Sequence, residues 1–171
     1  MPRYVAFLRG VSPMNAKMPE LKRCFEAAGF TDVKTLLSSG NVIFSTALKS
    51  TAEIESKAEA AMTKKLGRSF YTIVRSTEAL QKLIEADPFA TFKLPNEAKR
   101  VITFLREAKK LAQKLPIELD GAQILTQKGT EIFTAYVPNA NGPVFMTLLE
   151  KTFGKDITTR TWDTVRKCAA A

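Results

Sequence analysis

The feature that most restricts this chain is an internal echo. Phe7-Leu8-Arg9 returns as Phe104-Leu105-Arg106, and the stretch GNVIFS at 40–45 returns as GTEIFT at 129–134. The spacing between copies is 97 at the first pair, 89 at the second, and 87 for both Gly67/Gly154 and Thr77/Thr164. An offset that shrinks through small deletions is what a diverged repeat shows. The chain therefore reads as one αβ unit used twice.

Hydrophobic periodicity gives the unit its parts. Residues 4–9 are apolar and β-prone, a buried strand. GVSPMNAK at 10–17 is a loop, and Pro19 opens a helix with Met18, Leu21, Phe25 and Ala28 at helical spacing, stopped by Gly29. Residues 33–37 and 42–45 predict a hairpin around Ser39-Gly40-Asn41. Thr51 is expected to cap a helix bearing Ile54, Ala58, Met62 and Leu66, ended by Gly67. A strand at 70–75 follows, and Thr77 is expected to cap a further helix that stops before Asp87-Pro88. The plan is βαββαβ with a trailing helix, the ferredoxin-like arrangement, with strand order 4-1-3-2.

The second copy reads as a strand at 100–106, a short helix at 107–115 stopped by Pro116, and a hairpin of 123–126 with 131–137 around Lys128-Gly129. A loop at 138–142, a helix at 143–153 ended by Gly154, a strand at 156–160 and a last helix at 161–170 complete it. The expected fold is therefore α+β, two tandem ferredoxin-like halves at 1–87 and 99–171, each followed by an extra helix. Residues 88–98, with Pro88 and Pro95, read as the linker.

Composition narrows the chemistry. The chain has no histidine, which removes Ser-His-Asp and Cys-His nucleophilic sites, imidazole acid–base catalysis and His-ligated metals. Its two cysteines, Cys24 and Cys168, lie far apart among apolar helical neighbours. They read as small core residues in a reduced, cytoplasmic compartment, not as a disulfide or zinc framework. No apolar run approaches the roughly 20 residues that span a bilayer. The apolar patch at 4–8 is broken by Arg9, so no signal peptide is expected. No catalytic residue, cofactor or metal ligand is assigned. The formal charge of +9 points to an anionic partner, a small ligand or nucleic acid, although a solvated basic surface explains the same number.

VAFLRG, GFTDVKTLLSSGNVIFS and the closing TTRTWDTVRK together resemble a bacterial family, domain-of-unknown-function family 1697. The resemblance spans nearly the whole chain. It implies a small α+β protein with ferredoxin-like halves, with no established activity and no assigned catalytic residues. Many members of that family carry a Gly-Gly pair in the loop after the first strand. Here the place reads Ser12-Pro13-Met14-Asn15, with Lys17 following, and Pro13 withdraws a backbone donor.

Topology picks out one end of the first half. The first strand ends at Arg9, the hairpin turns at residues 38–41, the first helix begins near Lys17 and the second ends near Arg68. Arg9, Asn15, Lys17, Ser38, Ser39, Asn41 and Arg68 are therefore expected on one rim. Cations, hydroxyls and a helix N-terminus there would suit an anion. Lys17 and Arg68 as plain solvated side chains are the plainer alternative. A second candidate is Arg160 with Trp162, the lone tryptophan, which could clamp a ligand or fill core between the halves while Thr161 or Asp163 caps the last helix. The basic run at 93–114 reads as a solvated face. Three functions stay open: a module binding phosphate, nucleotide or nucleic acid, an enzyme acting on a small anionic substrate, and an interaction protein that pairs through a sheet edge. The oligomeric state stays open with them.

Overall fold

A computed structural model describes residues 1–111, 113–138 and 144–171. The protein is mixed α+β, with two antiparallel sheets of four and five strands and five α-helices among the described residues. It divides into two compact units, Met1–Ile84 with Arg166–Ala171, and Glu85–Val165. No helix among the described residues is long and apolar enough to cross a membrane.

The first unit runs β1 (Arg3–Leu8), α1 (Met18–Ala27), β2 (Thr31–Leu36), β3 (Asn41–Ser45), α2 (Thr51–Leu66), β4 (Thr72–Ser76) and α3 (Thr77–Ala86). Its sheet order is β2-β3-β1-β4, the expected order read from the opposite edge. Alternation along β1 and β3 sends Tyr4, Ala6, Leu8, Val42 and Phe44 to one face. There they meet Leu21, Cys24 and Phe25 of α1 and Ile54, Ala58 and Met62 of α2. Phe44 sits at the centre, with ring centroids 5.4 Å from Phe25 and 4.5 Å from Phe30. Burial pushes the Cys24 thiol up from its ordinary pKa.

The helix ends explain the boundaries. The Gly29 N–H donates to Glu26 O at 3.0 Å and the Phe30 N–H to Phe25 O at 3.3 Å. This is a Schellman closure, and the Phe25–Phe30 ring pair supplies its apolar contact. Two caps differ from expectation by one residue. Ser50, not Thr51, caps α2 by accepting from the Glu53 N–H at 3.3 Å. Ser76, not Thr77, accepts from the Ala79 N–H at 3.1 Å, while the Thr77 hydroxyl donates to Arg3 O. In both cases the cap is a serine with a threonine just behind it, so the pattern alone placed the cap one step late.

The second unit has a 3-10 turn at Pro88–Thr91 and continues β5 (Lys99–Leu105), β6 (Ile117–Leu119), β7 (Ala122–Lys128), β8 (Glu131–Tyr136), α4 (Val144–Phe153), β9 (Ile157–Thr161) and the start of α5 (Trp162–Ala170), which from Arg166 on belongs to the first unit. Its sheet order is β6-β7-β8-β5-β9. One sheet face packs Leu105, Ala122, Ile124 and Ile132 against Leu148, Leu149 and Phe153 of α4. Elsewhere in the unit Phe89, Phe133 and Trp162 meet edge to face.

The helix expected at 107–115 is not formed at 107–111 or 113–115. Its propensity is good, but a nine-residue helix is marginal in water without a buried face. This segment offers only Leu111 and Leu115 as large apolar residues, and both stay half-buried. The described residues of the stretch are coil, and β6, a short strand absent from the sequence expectation, follows it. The expected loop at 138–142 and the helix start at residue 143 lie outside the described residues, apart from Pro138.

Candidate functional site

The rim of the first unit is assembled by backbone pairing. The Leu8 N–H donates to Gly40 O at 2.9 Å, which joins the end of β1 to the β2–β3 turn. The Arg9 N–H donates to Tyr71 O at 2.9 Å, which brings in the connection between α2 and β4. Gly40 lies so close to the loop after β1 that a Cβ there would stand 2.8 Å from the Val11 Cβ. Its φ of +87° adds a second reason for glycine. The loop at 9–17, the turn at 37–41 and the Gly67–Tyr71 connection therefore share one end of the sheet.

The side chains on that end divide by role. The Asn15 amide donates to Gly10 O at 2.8 Å, and its oxygen accepts from the Ser12 N–H at 2.9 Å. Asn15 is thus a brace inside the loop. Asn41 is fully buried and donates to Leu36 O at 2.8 Å and to Ser39 Oγ at 3.0 Å, bracing the turn in the same way. Arg68 lies over the Phe70 ring, its guanidinium carbon 4.7 Å from the centroid. Arg9 is half-buried, and Lys17 and Ser38 are exposed. Lys17 is the N-cap residue of α1 and its side chain makes no capping bond. Two large apolar side chains share the end with them: Met14 is 95% exposed and Leu37, in the left-handed region at φ 62°, is 48% exposed. The sequence reading passed over both, because an exposed methionine or leucine has no pattern of its own.

The second candidate pair is held inside the second unit. Trp162 is buried against Phe89, with centroids 5.1 Å apart. Arg160 is buried too, and its guanidinium donates to Thr158 Oγ1 at 2.9 Å and Thr159 O at 2.7 Å. Thr161 Oγ1 accepts from the Thr164 N–H at 3.2 Å and so caps α5.

Two glutamates on α2 went unnoticed in the sequence. The Val74 N–H donates to Glu55 Oε2 at 2.9 Å and the Thr72 N–H to Glu59 Oε2 at 3.1 Å. Four residues of helix rise about 6 Å and two residues of strand about 6.7 Å, so one carboxylate per turn meets alternate amides of the edge strand β4. Their signal was the i, i+4 spacing beside the apolar face at Ile54, Ala58 and Met62. No group of three or more His, Cys, Asp or Glu side chains among the described residues could hold a metal ion.

Residues 1–133 match the family described as Protein of unknown function (DUF1697). No curated protein matches the chain. Among solved structures, the chain is similar to a conserved bacterial protein from Streptococcus pneumoniae, at 20% identity and a TM-score of 0.73, covering 99% of this chain and 97% of that one. At that identity the likeness speaks for the fold.

Proposed function

This chain belongs to the DUF1697 family of proteins of unknown function, and on that footing we propose that it is a binding module for an anionic ligand carrying an apolar body, a nucleotide or a single-stranded nucleic acid. The observation that carries the reading is the joint at Leu8, Gly40 and Val11, which holds the loop at 9–17 against the turn at 37–41. Arg9, Lys17 and Ser38 supply charge and hydrogen bonds on that end. Asn15, Ser39 and Asn41 hold the two loops in shape, and Arg68 adds charge from its seat on Phe70. Exposed Met14 and Leu37 favour a ligand with an apolar face over bare phosphate. The net charge of +9 favours any anion at long range. A chain without histidine suits binding better than acid–base catalysis.

The fold behind this reading is a tandem duplication of a ferredoxin-like unit. Its support is the sheet order: β7-β8-β5-β9 repeats β2-β3-β1-β4 strand for strand, with β6 added outside. The Leu105 N–H donates to Thr130 O at 2.9 Å, the counterpart of the Leu8–Gly40 bond. Buried free thiols at Cys24 and Cys168 fit a reducing cytoplasm.

Gel shift with single-stranded RNA and DNA, and calorimetry with ADP and with inorganic phosphate, test the site. At low salt the wild-type protein should bind nucleic acid or ADP, with affinity falling as salt rises. Arg9→Glu with Lys17→Glu should weaken that binding at least tenfold. No binding at low salt, or binding that ignores the double reversal, overturns the reading.

A further inference from the structure

The second unit contains a hollow of about 640 Å³ bounded by residues 109–111 and 113, by β6 and by α4. We propose that it binds a small amphipathic anion, an aliphatic chain ending in a carboxylate or phosphate. This proposal is independent of the rim in the first unit.

The hollow has an apolar wall. Leu148 of α4 is buried, Leu111 and Ile117 are half-buried, and Leu119 of β6 stands 49% exposed. An alkyl chain laid there removes water from surface the protein leaves wet. Its volume falls in the range of roughly 300–1,000 Å³ used by small-molecule sites.

The lining is also basic. Lys109, Lys110 and Lys151 line it together with one carboxylate, Glu118. Lys109 forms part of the frame: its Nζ donates to Thr152 O in the last turn of α4 at 3.1 Å, and its carbonyl accepts from Gln127 Nε2 at 2.8 Å. Lys110 and Lys151 are exposed and supply the charge for an anionic head. Lysine is a compact cation on a flexible stem, able to meet either a carboxylate or a phosphate. No aromatic ring lines the hollow among the described residues, so a nucleobase finds nothing to stack on, whereas an alkyl chain needs no such partner.

The hollow also has a structural origin. In the first unit the chain between β1 and β2 forms α1, which buries Leu21, Cys24 and Phe25. Among the described residues between β5 and β7 there is no such helix, and the hollow lies beside the coil found there.

The test is calorimetry of the whole protein with decanoate and decyl phosphate, with acetate and inorganic phosphate as chainless controls. One equivalent of at least one chain-bearing probe should bind, at least tenfold more tightly than its chainless counterpart. The stronger of the two identifies the preferred head group. Lys110→Glu with Lys151→Glu should weaken binding at least tenfold. Thr147→Trp, at an exposed position of α4 on the lining, should abolish it with unchanged far-ultraviolet circular dichroism. Three results overturn the proposal: no binding of either chain-bearing probe, equal binding of the chainless anions, or chain binding that survives both variants.

Discussion

The two units share a strand plan and differ in what covers it. After β1 the first unit raises α1, whose Leu21, Cys24 and Phe25 are fully buried beneath the sheet. After β5 the described residues up to β6 run as coil, and Leu111 and Leu115 pack only partly against the core around Leu148, Leu149 and Phe153. Strand order survives this difference, because each sheet is fixed by its own ladders and by one hydrogen bond from the end of the first strand to the hairpin turn. The cover is the variable layer. Where it is a helix, the polar groups of the adjoining loop brace one another, as Asn15 does. Where it is coil, a hollow lined by apolar and cationic side chains remains.

The largest expected effect tests that contrast directly. Phe25→Ala removes a ring in contact with Phe30 and Phe44 and should cost about 3–5 kcal/mol in urea unfolding. Leu115→Ala, at a half-buried coil position, should cost about 1 kcal/mol, followed through the fluorescence of Trp162 in the same unit. If Leu115→Ala proved as costly as Phe25→Ala, the coil would be packed as tightly as the helix and the contrast would fall.

The hairpin turns sharpen it. Gly40 and Gly129 occupy matching turns and both have positive φ, +87° and +62°. A methyl group on Gly40 would also meet the Val11 Cβ at 2.8 Å and the Leu8 Cβ at 3.1 Å, whereas nothing lies within 4 Å of the same atom on Gly129. Gly129→Ala should therefore show only the left-handed backbone penalty, about 1 kcal/mol. Gly40→Ala should add the cost of pushing the loop away, about 3 kcal/mol in all. It should also weaken anion binding at the rim through displacement of that loop. Equal penalties at the two glycines would mean that the loop at 9–17 is not seated on the turn.

Much of this was legible beforehand because it rests on local rules. Alternation and turn residues located most of the strands, and Gly67 stands at φ 72° as the C-cap of α2, where the pattern put it. The misses came from tertiary context. Residues 107–115 have helical propensity, but propensity loses when no apolar face is buried. Ile117–Leu119 is too short to announce itself as a strand. At the rim the sequence offered the right neighbours without their roles. Nothing in the letters tells an asparagine aimed at a ligand from Asn41, which is spent on Leu36 and Ser39. The hollow in the second unit depends on residues from three separate segments and so had no signature at all.

The strand edges give the smallest and most local effect. β4 is an edge strand, and its Val74 and Thr72 amides are taken by Glu55 and Glu59 of α2. In the alignment that pairs Gly67 with Gly154, Met146 of α4 stands at the position of Glu59. Glu55 is buried, and Glu55→Leu leaves the Val74 N–H without this acceptor, a loss of about 2 kcal/mol. Glu55→Gln keeps an oxygen in place and should recover much of it. Glu59 is only half-buried, so water can replace its carboxylate, and Glu59→Met should cost about 1 kcal/mol or less. Amide hydrogen exchange separates these local losses from global ones. Val74 should exchange faster in Glu55→Leu and Thr72 in Glu59→Met, with β1 amides following only the change in global stability. Unchanged protection at Val74 and Thr72 would mean that the edge is held by packing.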